Sequence, residues 1–177
     1  MTARATGSEG TPDTHHGPPH EPIFVGAVKQ QLEALFPSYP TKQACLLPAL
    51  WMAQEARGWI SAEAIAEVAG VLELTPAYVR GVVTFYTMYH THPVGRHFIQ
   101  VCTTSPCHMC GSDDVLSALL KETGCKELGA TSPDGRFTVI EVECLGACGF
   151  PTPILIDDDF VESVTPERVS GILQGYK

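Results

Sequence analysis

The sequence predicts an α+β protein in which a lobe of four short helices is followed by a smaller α/β unit. Three observations carry this. Apolar residues between Ile23 and Tyr86 recur at helical spacing, with caps and stops between the runs. From His97 the pattern changes to short strand-like runs alternating with helical ones, in the order strand, helix, strand, strand, helix. Two close cysteine pairs, Cys102/Cys107 and Cys144/Cys148, lie far apart in the chain and follow two of those strands.

Composition narrows the function classes. The chain has 177 residues, 44% of them apolar, which suits one ordinary domain or two small lobes with a real core. The net charge of −9 argues against nucleic acid, whose phosphates would repel it. No run of about 18 apolar residues is present, so no direct membrane insertion is expected. The N-terminus lacks the apolar segment of a signal peptide, which predicts a cytoplasmic protein. Seven cysteines, an odd number in a chain that is not disulfide-dense, point to metal or redox chemistry in a reducing compartment.

Residues 1–22 hold Gly, Pro, Ser, Thr and His with few apolar side chains and read as a disordered tail. A loose metal-binding role for His15, His16 and His20 is the weaker reading of that tail. Residues 23–92 are expected to form the helical lobe. Ile23 to Phe36 is the first helix, ended by Pro37 and Pro40. Thr41 caps the second, which runs to Arg57 and stops at Gly58; Pro48 should bend it or delay its start. Cys45, among Ala44, Leu46 and Leu47, reads as a small core residue, and Trp51 and Trp59 as lobe packing. Ser61 opens the third helix, which should close near Gly70. Thr75-Pro76 opens the fourth, to about Tyr86. A DNA-reading helix-turn-helix is disfavoured by the acidic balance and the lack of a basic recognition helix.

Residues 93–177 form the predicted second unit. His97 to Val101 reads as a strand ending at Cys102, and Ser112 as the cap of a helix stopping at Gly124. Ser132-Pro133-Asp134-Gly135 has turn chemistry. Phe137 to Glu143 is a strand ending at Cys144. Ile154–Ile156 and Phe160–Val164 flank Asp157-Asp158-Asp159 as a hairpin, a tight acidic turn rather than a calcium loop. Thr165-Pro166 starts a last helix to about Gln174. Cys125, past a helix stop, reads as a surface or half-buried thiol, and His90, His92 and His97 as loop and strand-edge residues. A thioredoxin-like sandwich has this order of elements.

The four paired cysteines are expected on loops at strand ends, with Gly146 and Gly149 letting backbone N–H groups approach the sulfurs. Pro106, Pro151 and Pro153 stiffen the loops, and Thr152-Pro153 is a candidate cis bond. Four chemistries fit. The first is a [2Fe–2S] cluster on Cys102, Cys107, Cys144 and Cys148. A structural zinc site would use the same ligands, although zinc pairs are more often C-x2-C. A thiol–disulfide role would use Cys107-His108-Met109-Cys110 and leave Cys102, Cys144 and Cys148 idle. A plant-ferredoxin spacing, Cys102-x4-Cys107-x2-Cys110, would bring Cys110 in for one of the C-terminal pair.

Glu143-Cys144-Leu145-Gly146-Ala147-Cys148 with Cys102-x4-Cys107 resembles the thioredoxin-like [2Fe–2S] subunit of the NADH-oxidising module of respiratory complex I. Gly58-Trp59-Ile60, Val82-Val83-Thr84-Phe85-Tyr86, Pro93-Val94-Gly95, Ser132 to Phe137 and Thr165-Pro166-Glu167 extend the resemblance over about residues 23–173. It implies a four-helix lobe followed by a thioredoxin-like α/β [2Fe–2S] ferredoxin domain, with Cys102, Cys107, Cys144 and Cys148 as ligands. It also implies an electron carrier whose FMN and NADH sit on a flavin-bearing partner subunit, beside other iron–sulfur subunits, peripheral to the inner face of a membrane. Related subunits occur in NAD-linked hydrogenases and formate dehydrogenases. Cys110 and Phe150-Pro151-Thr152 depart from the family pattern. No nucleotide-binding glycine fingerprint occurs in the chain itself.

Overall fold

Capping chemistry and apolar periodicity account for the helices in the first part of the chain. A computed structural model describes residues 21–177; the tail expected for residues 1–22, with His15, His16 and His20, lies outside the described residues save for its last two. Helix α1 spans Gly26–Leu35 and runs into a 3-10 turn, Phe36–Ser38. Thr41 does act as a cap, but its hydroxyl accepts the Ala44 N–H of a 3-10 turn, Lys42–Cys45. Helix α2, Leu46–Arg57, starts only there, so Pro48 delays it and falls in its first turn, where no helical N–H is missed. Gly58 closes it at φ 78°.

Ser61 caps α3, Ala62–Leu72, by accepting the Ala64 N–H at 3.2 Å. Thr75 does the same for Tyr78 at the start of α4, Pro76–Phe85. Helix α3 does not end at Gly70. It continues two residues to bury Leu72, and Glu73 takes the left-handed closing conformation at φ 59°. Ser61→Ala is expected to cost about 1–2 kcal/mol, because Ala64 loses its acceptor in a buried setting; the denaturant midpoint reads it.

Leu32, Cys45, Leu50, Val68, Leu72, Val79 and Val83 are at the centre of one apolar cluster formed by these helices. Trp51 stays 43% exposed, touching the buried Tyr89 edge-on, so it caps the cluster rather than filling it. No single helix among the described residues is long and apolar enough to cross a membrane. The α3–α4 pair has the composition, but it bends by 118°.

Gln54 fastens the exit from this lobe. Its amide donates to the Met88 carbonyl at 3.0 Å and its oxygen accepts the His90 N–H at 2.7 Å. The His90 ring then packs 4.3 Å from Phe98, on the first strand of a second cluster. That cluster is built on a four-stranded sheet of order β2-β1-β3-β4. Strand β1 is His97–Cys102, β2 Phe137–Val142, β3 Ile154–Ile156 and β4 Asp159–Val161.

Strands β1 and β2 pair in parallel from His97↔Phe137 to Cys102↔Val142. Strand β3 is antiparallel to both β1 and β4. Helix α6, Ser112–Thr123, makes the crossover between β1 and β2, and packs on the last helix, α7, Pro166–Leu173. Ile99, Val101, Val139, Ile154 and Ile156 of the sheet meet Val115 and Leu119 of α6 and Val169 of α7. Cys125 belongs to this core at 6% exposure, which corrects its reading as a surface or half-buried thiol.

Several boundaries differ from the sequence reading. A short helix, α5, Ser105–Met109, precedes α6. Gly111, not Ser112, is the α6 N-cap; Ser112 is fully buried as the first helical residue. Strand β4 ends at Val161, not Val164. Thr165 makes no cap hydrogen bond. Its hydroxyl bonds the Glu167 carboxylate instead, which holds that group below the usual carboxylate range. The acidic turn is confirmed and has a structural use. Asp157 accepts the Phe98 N–H at 2.8 Å and meets His97 Nδ1 at 2.7 Å, pinning the start of β1.

Candidate metal centre

Parallel strands carry their C-terminal ends to one edge of a sheet, and here each leads to a cysteine loop. Cys102 is the last residue of β1, opposite Val142, and Cys144 follows β2 by two residues. The Thr103 N–H donates to the Val142 carbonyl at 3.0 Å, and the Cys102 N–H to the Pro153 carbonyl at 3.3 Å. The segment 143–153 is thereby drawn beside the end of β1.

Cys107 is not on a loop, as its spacing suggested, but inside α5. The turn places its sulfur 3.3 Å from that of Cys102. Both are buried, whereas Cys144 and Cys148 are exposed. The Gly146 N–H, at φ 80°, donates to the Cys144 sulfur at 3.4 Å. That is the use expected of glycine between the two cysteines. The non-proline bond Pro151-Thr152, not Thr152-Pro153, is cis.

The electrostatics of the buried pair are unequal. Burial acts to raise the Cys102 thiol, but the Leu145 and Thr104 N–H groups, Cys107 and the Thr104 hydroxyl all stabilise its thiolate, and the net shift is downward. Cys107 is pushed up to about 12, first by burial, then by its bond to Cys102 and by the charges of Cys102, Cys148 and Cys110. Leu145 and Cys148 belong to the second loop. Their action on Cys102 and Cys107 shows that the second loop runs close to the end of β1.

Thr104 and Leu145 were not singled out in the sequence. Thr104 is legible only in hindsight, as a hydroxyl just past a strand-end cysteine. Leu145 acts through its backbone, which no residue type announces. The Thr104 hydroxyl is buried without a hydrogen-bond partner, and it helps to lower the Cys102 thiol.

Donor chemistry tests what such a site can hold. Four thiolates suit iron–sulfur clusters or zinc. A tetrahedral zinc site with bonds of about 2.3 Å requires all four sulfurs within about 3.8 Å of one another. Among the described residues no three His, Cys, Asp or Glu side chains converge on a single-ion centre. A two-iron cluster divides its ligands two and two, each iron completed by bridging sulfides. The tight Cys102–Cys107 pair is what one half of that division requires. Cys45 and Cys125 lie in the two apolar cores, away from this edge.

The described residues from Leu32 on match a family model described as thioredoxin-like [2Fe–2S] ferredoxin, over residues 32–177. An NADH-quinone oxidoreductase subunit of Rhizobium meliloti (strain 1021) is 34% identical over 85% of this chain and 89% of its own length. The corresponding NADH-quinone oxidoreductase subunit of Rickettsia bellii (strain RML369-C) is 41% identical over 80% of this chain and 86% of its own. A crystal structure of an NAD+-reducing [NiFe]-hydrogenase in the H2-reduced state covers 72% of this chain, with a TM-score of 0.62 and 21% identity. This chain spans 22% of that hydrogenase chain, and at such identity the likeness concerns the fold.

Proposed function

Since the chain belongs to the thioredoxin-like [2Fe–2S] ferredoxin family, we propose that it carries a [2Fe–2S] cluster on Cys102, Cys107, Cys144 and Cys148. It would serve as the electron-transfer component of the NADH dehydrogenase module of an NADH-quinone oxidoreductase. The observation that carries this is the parallel pairing of β1 and β2. It delivers both cysteine loops to one sheet edge, with Cys102 and Cys107 already 3.3 Å apart. Relatives named as subunits of NADH-quinone oxidoreductase, matched over most of their length, support the respiratory assignment.

When bound, the cluster supplies reversible one-electron chemistry, which no side chain here provides. The residues of this chain bind and shield it. Burial of Cys102 and Cys107 keeps water from one side, while the Gly146, Leu145 and Thr104 N–H groups stabilise thiolate charge. Such hydrogen bonds favour the reduced, more negative state and raise the potential. Exposure of Cys144 and Cys148 leaves the other side open to a partner, with Met109 of α5 and Phe150 of the second cysteine loop also exposed. FMN and NADH would bind that partner, a flavin-bearing subunit of a complex that also holds other iron–sulfur subunits. The chain would then lie at the cytoplasmic face of the membrane through the complex.

Iron and acid-labile sulfide analysis of the purified chain tests the reading. About two of each per chain, with red-brown absorption and an electron-spin signal on chemical reduction, is the expected result. Zinc without colour would overturn it. The isolated chain is expected not to oxidise NADH; turnover without a partner would refute the division of labour.

A further inference from the structure

Cys110 lies outside the four-ligand set, yet the fold holds it next to that set. Helix α5 is a single turn, and Cys110 closes it by donating its N–H to the carbonyls of Cys107 at 3.0 Å and Pro106 at 3.2 Å. Residues three apart on a helix stand side by side, with Cβ atoms about 5–6 Å apart. The Cys110 thiol is exposed, unlike Cys45 and Cys125, so it has no core packing to give up. The next residue, Gly111, adopts φ 92° and joins α5 to α6. The neighbouring His108 ring has its Nδ1 3.3 Å from Asp113.

We propose that Cys110 is a reserve ligand: a fifth thiolate placed to hold the iron that Cys107 holds when Cys107 is lost or blocked. The proposal rests on the cluster reading above. The displacement it requires is less than the roughly 5.4 Å pitch of one helical turn. The exchange moves no electrons. Cys110 would give up its thiol proton to water on becoming a ligand, and a displaced Cys107 thiolate would take a proton from water. Charge on Cys110 already acts on Cys107, in keeping with sulfurs that share one neighbourhood.

The test compares full-length Cys107→Ala with Cys107→Ala/Cys110→Ala after reconstitution with ferrous iron and sulfide. The single variant should retain about two irons per chain, all-thiolate absorption and a shifted electron-spin signal. The double variant should hold about tenfold less, the least expected from losing a ligand outright. Equal iron in the two, whether both are loaded or both empty, overturns the proposal. Iodoacetamide gives a second readout, since Cys110 should be protected in the loaded single variant and fast alkylation there refutes the idea. Should the alanine variant fail to fold, Cys107→Ser decides: an all-thiolate spectrum supports Cys110, and a blue-shifted oxygen-ligated spectrum excludes it. A wild-type chain that takes up no iron defeats the cluster reading itself, and the reserve ligand with it. Loss confined to the Cys107 variants defeats the reserve ligand alone.

Discussion

Cys144→Ala is expected to yield a folded chain that holds at least about tenfold less iron than wild type. The fold should survive because Cys144 is exposed and follows β2 rather than packing beneath it. The Gly146 N–H bonds its sulfur at 3.4 Å, so unfolding free energy should change by about 0.5 kcal/mol or less. The cluster should not survive. Its neighbours Glu143, Leu145 and Gly146 offer no thiol, and Cys148 already belongs to the set. Cys110 stands at the end of α5, the helix that holds Cys107. Iron and sulfide analysis with far-ultraviolet circular dichroism separates the two effects. The same variant discriminates between chemistries: a dithiol using Cys107 and Cys110 would be indifferent to residue 144. Full retention of cluster in Cys144→Ala would remove it from the ligand set and favour the Cys102, Cys107, Cys110 spacing.

Local chemistry was legible wherever one residue type carries one meaning. Ser61 and Thr75 hydroxyls and Gly58 and Gly124 as stops were read correctly, and so was the Asp157-Asp158-Asp159 turn except that Asp159 already belongs to β4, because each satisfies or reverses backbone within a few residues. Errors arose where burial competed with a local signal. Gly70 looked like a helix stop, but the apolar period continues through Leu72. Burying that side chain outweighs placing Glu73 in a left-handed conformation, which costs about 1–2 kcal/mol. Ser112 looked like a cap, but its hydroxyl faces the interior and Gly111 makes the turn into α6.

For α5 the signal was present and unused: Pro106 in the first turn of a helix is as informative there as Pro76 is in α4. The site divides in the same way. Spacing set out two candidate cysteine pairs and left Cys110 as a rival member. It was silent on parallel pairing, which depends on contacts forty residues apart, and on the amides of Leu145 and Thr104 that favour thiolate at Cys102.

Gly95→Ala should be the most damaging added methyl group among the described glycines. A Cβ at Gly95 would lie 2.7 Å from the Phe137 carbonyl carbon, 2.8 Å from its nitrogen and 2.9 Å from the Arg136 carbonyl carbon. All three are backbone atoms entering β2, so no rotamer change relieves the overlap. Gly95 also donates its N–H to the Thr138 hydroxyl at 2.8 Å, and that hydroxyl is fully buried and shared with Thr131. Two residues later β1 begins its register with His97↔Phe137, at the end of the sheet opposite the cysteines. Pushing the strands apart there disturbs the ladder that ends at Cys102↔Val142. We expect a loss of about 3–5 kcal/mol or failure to accumulate folded protein, with cluster loss following the fold rather than preceding it. Gly81→Ala is the matched control. Gly81 is a helix-interior glycine in α4 whose added Cβ meets nothing within 4 Å, so alanine should stabilise by about 0.5–1 kcal/mol. Urea midpoints for the two variants should move in opposite directions; a wild-type midpoint for Gly95→Ala would mean that the strands do not approach this closely.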